Sequence, residues 1–219
     1  MVQRRTCQTW REIGLPMTED LKLDRHGWLC PHPAVRHVKS PNQDRRPPLE
    51  NISLLVIHNI SLPPNQFGKR YVEQLFTNTL RSDEHPFFAQ IADLRVSAHF
   101  FIRRSGRIIQ FVSTHKRAWH AGVSRHNGRD RCNDFSIGIE MEGTDFQPFT
   151  DEQYLQLAAL TTVLRSRYTL NAVRGHEHIA PKRKTDPGPY FDWHWYQRLT
   201  GWTWREMPPG IASRRLVPV

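Results

Sequence analysis

Residues 53–60 read SLLVIHNI, nearly continuous in apolar and β-branched side chains, which predicts a strand covered on both faces. After the Pro63-Pro64 turn, Tyr71, Leu75 and Phe76 fall on one face of a helix predicted over residues 70–79. Residues 99–103 and 107–112 flank Arg104-Ser105-Gly106, a short connection with a late glycine, and predict a hairpin. A fourth strand is predicted over residues 135–141 (FSIGIEM). Thr150 followed by Asp151 and Glu152 opens a helix in which Tyr154, Leu157, Ala158, Thr161 and Leu164 recur at helical spacing to about Arg167. A short last helix is expected over residues 191–199, whereas the polar, proline-bearing stretch 36–50 reads as an irregular loop. Strands interleaved with helices, one hairpin among them, predict an α/β single domain: a mixed central sheet with helices packed on it.

Length bounds this reading, because 219 residues suit one domain with tails and leave little room for two. The expected division is an N-terminal extension at 1–24, the domain at 25–200 and a C-terminal tail at 201–219, on which Trp202 and Trp204 are candidates to dock. Residues 1–16 lack periodicity, so a start of translation at Met17 is expected. The longest apolar runs, 54–57 and 100–102, fall far short of the roughly 18 residues that span a bilayer. Nor does the sequence after Arg4 and Arg5 form the apolar run of about 7–15 residues that a secretory signal needs. Three scattered cysteines, Cys7, Cys30 and Cys132, without a C-x-x-C pair, suit a reducing compartment, and a cytoplasmic location is expected. A formal net charge of +10 favours an anionic partner and keeps nucleic acid as one option.

Among twelve histidines, His58 is the sharpest, since it interrupts an apolar strand where a titratable group is costly without a partner. The stretch GHEHIAPKRKTDPGP (175–189) crowds His176, His178 and Asp186 among three prolines, and Pro187 biases Asp186 towards an extended backbone. Two imidazoles and a carboxylate are a recurring catalytic zinc set. His58, His176 and Asp186 suffice for it, but spacing alone does not select them over His178, His99 or His120. In IGIEME (137–142), alternation places Glu140 and Glu142 on one side of a strand and Ile139 on the other, leaving either a proton-transferring carboxylate or two solvated ones. Trp119, beside Arg117 and in the same half of the chain as Arg95 and Arg131, suits an anionic ligand with an apolar or sugar face, or else the core. Cys132 has no identifiable triad partner and reads as structural.

Four segments, LLVIHNISLPP (54–64), HPFFAQIADLRVSAHFFIRRSGRIIQFV (85–112), RAWHAGVSRHNGRDRCNDFSIGIEMEGTD (117–145) and GHEHIAPKRKTDPGPYFDW (175–193), occur together in order. They closely resemble the zinc-dependent N-acetylmuramoyl-L-alanine amidase family, which includes phage lysozyme-like amidases and peptidoglycan recognition proteins. The likeness runs from about Trp28 to Leu199, with His178 at a position where relatives commonly have Asn. The resemblance implies one Zn2+ per chain on His58, His176 and Asp186, Glu140 as the catalytic carboxylate, and Lys184 opposing a developing oxyanion. It places Asn59, Arg95, Trp119 and Arg131 against a muropeptide. The implied reaction is hydrolysis of the amide between the lactyl group of anhydro-N-acetylmuramic acid and L-alanine in cell-wall recycling, by a monomer that binds neither nucleic acid nor membrane. Two other functions compete: a non-catalytic peptidoglycan-binding module on the same fold, which typically lacks a zinc ligand, and a nucleic-acid binder, for which no reading motif is recognisable.

Overall fold

The computed structural model describes residues 21–211, so the expectations for residues 1–16 and for a start at Met17 lie outside the described residues. In chain order the strands are β1 (Val35–His37), β2 (Gln43–Arg45), β3 (Leu54–Ile60), β4 (Phe100–Ile102), β5 (Ile108–Gln110), β6 (Lys116–Ala118), β7 (Arg125–His126), β8 (Arg129–Asp130), β9 (Ser136–Glu142) and β10 (Ala172–Gly175). The helices are α1 (Tyr71–Phe76), α2 (Phe88–Ile91), α3 (Asp151–Arg167), α4 (His176–Ile179) and α5 (Trp193–Thr200). The main sheet has six strands in the order β1-β5-β4-β9-β3-β10, with β2 and β6, and β7 and β8, forming two small ribbons. Within the main sheet β4 and β5 are antiparallel, as the hairpin pattern predicts, and the other neighbours run parallel.

The two central strands, β3 and β9, divide their faces by alternation. Leu55 and Ile57 with Ile137, Ile139 and Met141 face α3 and α5 and join Tyr154, Leu157, Leu160, Leu164 and Tyr196 in the largest core cluster. Leu54, Val56 and Phe135 on the other side form a smaller cluster with Ala121, Cys132 and Ile179. Further along the sheet, α1 and α2 cover Phe101, Ile109 and Phe111. Both central strands are therefore enclosed, which is why each reads as an apolar run.

α3 begins where the sequence places it, with a capping box in which Thr150 accepts from Gln153 N–H and the Gln153 side chain accepts from Thr150 N–H. The same glutamine, fully buried, donates to the carbonyls of Ile102 and Glu142 and so locks the helix start onto β4 and β9. Thr150→Ala is expected to cost about 1 kcal/mol in a denaturant titration, because one orphan helix N–H loses its acceptor.

Two sequence expectations change. The stretch 36–50 is not wholly irregular, since it holds most of β1 and all of β2. These pair through backbone groups with β5 and β6, so their side chains need no apolar pattern. α1 stops at Phe76 rather than Thr79, because Asn78 takes a left-handed backbone (φ 59°) that ends the helix. Packing also continues past Thr200: Trp202 and Met207 are buried, and the Trp202 indole N–H donates to the Tyr196 hydroxyl at 3.2 Å. Trp204 remains 61% exposed. At the other end, Leu21 packs into the same core as Trp202, so both flanks of the 25–200 segment contribute to it.

Candidate active site

The parallel register that joins β3 to β9 sets His58 directly opposite Glu140. On the other flank of β3, β10 pairs Gly175 with Ile57 and ends there, so the next residue, His176, opens α4 beside His58. The turn after α4 returns Asp186 to the same point, with Asp186 C=O accepting from Glu177 N–H at 3.0 Å. Asn59 steadies this return by donating to Pro187 C=O at 3.0 Å and to Asp145 Oδ1 at 2.7 Å.

Three donor atoms consequently converge. His58 Nδ1 lies 2.9 Å from Asp186 Oδ2 and 3.1 Å from His176 Nδ1, and His176 Nδ1 lies 3.1 Å from the same carboxylate oxygen. These separations approach the roughly 3.3 Å edges of a tetrahedron built on metal–ligand bonds of about 2.0–2.1 Å. The donor set of two imidazole nitrogens and one carboxylate can hold a metal ion. Burial, with the adjacent His176, pushes His58 down to about 4, so its imidazole is neutral near pH 7. Burial opposes ionisation of Asp186, but the His176 and His58 imidazoles facing its Oδ2 outweigh it and hold the carboxyl below its ordinary range. Both groups therefore stand in their ligating forms.

Beside the triad, Glu140 is buried, and its Oε2 has no hydrogen-bond partner among the described residues. Burial, reinforced by the charge of Asp186, pushes its carboxyl well above the usual range, while Lys184 pulls the other way. Lys184 is exposed, on a turn whose backbone N–H donates to Ala180 C=O. An orphaned acid oxygen next to a convergent donor triad is an arrangement for moving a proton.

Geometry also sorts the histidines that spacing leaves equivalent. His99 accepts from Gly138 N–H at Nδ1 and reaches Lys116 C=O through Nε2, so both ring nitrogens are engaged. His178 accepts from Gly175 N–H at Nδ1 and sets its ring edge-on to Trp193. His120 stands behind His58, its Nδ1 2.9 Å from His58 Nε2. Glu142, on the same strand face as Glu140, accepts from the backbone N–H groups of Gly68 and Arg104 and is spent on structure. Cys132 is buried, and burial raises its thiol.

The sequence-named contact residues are less concentrated. Trp119 is half-buried, and its indole helps keep the Asp44 carboxyl charged, after the larger contribution of Arg117. Arg95 is exposed and reaches only Ala92 C=O, at 3.4 Å, while exposed Arg131 pairs with Asp134 at 2.7 Å. Sequence reasoning missed Ser136, which faces His120, although its place two and four residues before Gly138 and Glu140 on one strand face is the signal that finds it.

A mixed sheet that carries an imidazole–carboxylate triad beside a buried acid with no partner among the described residues suits metal-assisted hydrolysis. Residues 48–189 match the sequence pattern of the N-acetylmuramoyl-L-alanine amidase family (Amidase_2), and the chain belongs to that family. The 1,6-anhydro-N-acetylmuramyl-L-alanine amidase AmpD of Citrobacter freundii is 58% identical over 175 residues, 79% of this chain and 92% of that protein. A crystal structure of a selenomethionine derivative of AmpD superimposes with a TM-score of 0.77 at 57% identity, covering 81% of this chain and 98% of the other. The E. coli amidase AmiD, in complex with its substrate anhydro-N-acetylmuramic acid-L-Ala-D-gamma-Glu-L-Lys, matches with a TM-score of 0.51 at 28% identity, over 81% of this chain and 65% of the other.

Proposed function

We propose that this chain is a zinc-dependent amidase that cleaves the amide between the lactyl group of (1,6-anhydro-)N-acetylmuramic acid and the L-alanine of a muropeptide, in cytoplasmic peptidoglycan recycling. It acts as a monomer with one zinc ion, without nucleic acid or membrane as partner. The observation that carries this reading is the convergence of His58 Nδ1, His176 Nδ1 and Asp186 Oδ2 beside the unpartnered Glu140 Oε2. The AmpD relatives, which span nearly their whole length in this chain, and the substrate seen in AmiD support the choice of amide. Among the described residues no helix is long and apolar enough to cross a membrane, and Cys30 and Cys132 are free thiols.

His58, His176 and Asp186 would hold the ion, and bound zinc supplies Lewis acidity towards the scissile carbonyl and an attacking water. Glu140 takes the proton of that water at Oε2 and returns it to the departing amine of L-alanine. Its raised proton affinity serves the second half of this cycle, and the opposing charge of Lys184 serves the first. The Lys184 ammonium also opposes the negative charge that grows on the carbonyl oxygen. Asn59 holds the turn that carries Asp186, Trp119 offers its half-buried face to the sugar, and Arg95 and Arg131 attract the carboxylates of the stem peptide. The net charge of +10 favours such an anionic substrate.

The test is turnover of anhydro-muramyl-tripeptide, followed by mass spectrometry, with protein stripped of metal and then given one equivalent of zinc. Release of free tripeptide that disappears on stripping and returns with zinc is expected. Tight binding of the substrate without cleavage at any zinc level would instead make the chain a recognition module and overturn the reading.

A further inference from the structure

The hydrogen atoms behind the donor triad can be placed one after another, starting from the protein interior. Ser136 Oγ lies 2.6 Å from Cys132 C=O, a separation that requires a hydrogen between the two oxygens. The carbonyl has none, so the serine hydroxyl donates, and its oxygen is left as an acceptor. His120 Nε2, 3.1 Å from that oxygen, must then carry the ring hydrogen. A neutral imidazole has a single ring hydrogen, so with that hydrogen on Nε2 the His120 Nδ1 is a bare acceptor. Facing it at 2.9 Å, His58 Nε2 is therefore the donor. With its ring hydrogen on Nε2, His58 leaves Nδ1, the atom facing His176 and Asp186, to ligate.

From this chain of assignments we infer that His120 is a positioning residue that selects the ligating tautomer of His58, with Ser136 and the Cys132 carbonyl as its anchor. The inference rests on the metal reading above, and nothing in the amidase reaction itself requires the partner behind His58 to be a second imidazole. Two further observations show that the ring is deliberately seated. A Cβ at position 138 would lie 2.4 Å from His120 Cγ, so only glycine on β9 leaves space for the imidazole. The backbone N–H groups of His120 and Ala121 both donate to Asn133 Oδ1, which fixes the height of the ring above the strand. The other imidazole of the triad uses a simpler device, its Nε2 lying 3.0 Å from Ala121 C=O, where it donates. One histidine is thus oriented by a carbonyl directly, and the other by a carbonyl acting through a serine and a ring.

Outer partners of ligating histidines typically change metal affinity about 10–100-fold when removed. His120→Leu is therefore expected to weaken zinc binding by about that factor in competition with a chromophoric chelator. His120→Asn, whose Oδ1 can stand near the place of Nδ1 and accept from His58 Nε2–H, is expected to recover most of the loss. Matching circular dichroism and thermal midpoints of the two variants would separate tautomer control from simple loss of packing. In the metal-free parent, long-range 1H–15N correlation on 15N-histidine-labelled protein is expected to show His58 protonated at Nε2. His120→Leu that binds zinc within twofold of the parent, or a His58 proton found on Nδ1, would overturn the inference. A parent that binds no zinc overturns the metal reading, and the tautomer measurement then decides the positioning role by itself.

Discussion

Replacing Glu140 by glutamine is expected to lower kcat by about 10²–10⁴-fold while leaving zinc stoichiometry at one per chain. The amide keeps the volume and shape of the carboxyl in a buried place on β9, so neither the triad nor the strand pairing is disturbed. What it removes is the capacity of one atom, Oε2, to accept and release a proton. Neither of two neighbouring carboxylates is free to substitute: Asp186 is engaged by both imidazoles, and Glu142 is held by two backbone N–H groups and approached by Arg103. Stability is expected to change by less than about 1 kcal/mol, since a polar group of the same size and shape replaces the carboxyl. Steady-state kinetics on anhydro-muramyl-tripeptide, metal analysis and a thermal melt make the comparison. A Glu140→Gln enzyme that retains more than a tenth of the parent kcat would place the proton carrier elsewhere and return Glu140 to a structural role.

This prediction depends on a juxtaposition that the sequence contains only in halves. Alternation in residues 137–142 puts Glu140 and Glu142 on one strand face, and the apolar run ending in His58 marks a second enclosed strand. The adjacency of these two strands is a property of the sheet, reached across an intervening hairpin and 80 residues or so of chain, and no local pattern encodes it. The elements that were legible are those whose side chains must satisfy two covered faces or one helical stripe: β3, β9, the β4–β5 hairpin and α3 with its Thr150 cap. β10 was missed for a physical reason. Its four residues, AVRG, are too few for a period to register, and its place is secured by backbone pairing with β3. Yet β10 leads directly into His176, so a strand with no visible pattern places one of the three metal donors.

The choice among histidines shows the same limit more sharply. As residue types His58, His99, His120, His176 and His178 are identical, and all lie in segments that suit a site. They differ in what their ring nitrogens already hold, which is a tertiary fact. Backbone groups claim His99 and His178, and His120 is bound between Ser136 and His58. Only His58 and His176 keep a nitrogen facing the same carboxylate oxygen.

His176→Ala is accordingly expected to abolish zinc binding, and His178→Ala to preserve it, although the two residues are only two positions apart in α4. The first substitution removes one of three donors from a site that has no spare imidazole to replace it. The second leaves all three donors and their separations in place. Its cost falls on the fold instead, because Gly175 N–H, at the join of β10 and α4, loses its acceptor and Trp193 loses an edge-on ring. An unsatisfied backbone donor of this kind costs about 1–3 kcal/mol, so His178→Ala should melt earlier than the parent while still carrying metal. The metal-free parent gives the baseline for His176→Ala, which should match it in lack of turnover. Chelator competition and thermal melts on the pair read these two effects independently. Zinc retained by His176→Ala and lost by His178→Ala would exchange the roles of the two imidazoles. It would also require α4 to turn by about 160–200°, given the roughly 100° per residue of a helix with 3.6 residues per turn, which its seating against β10 opposes.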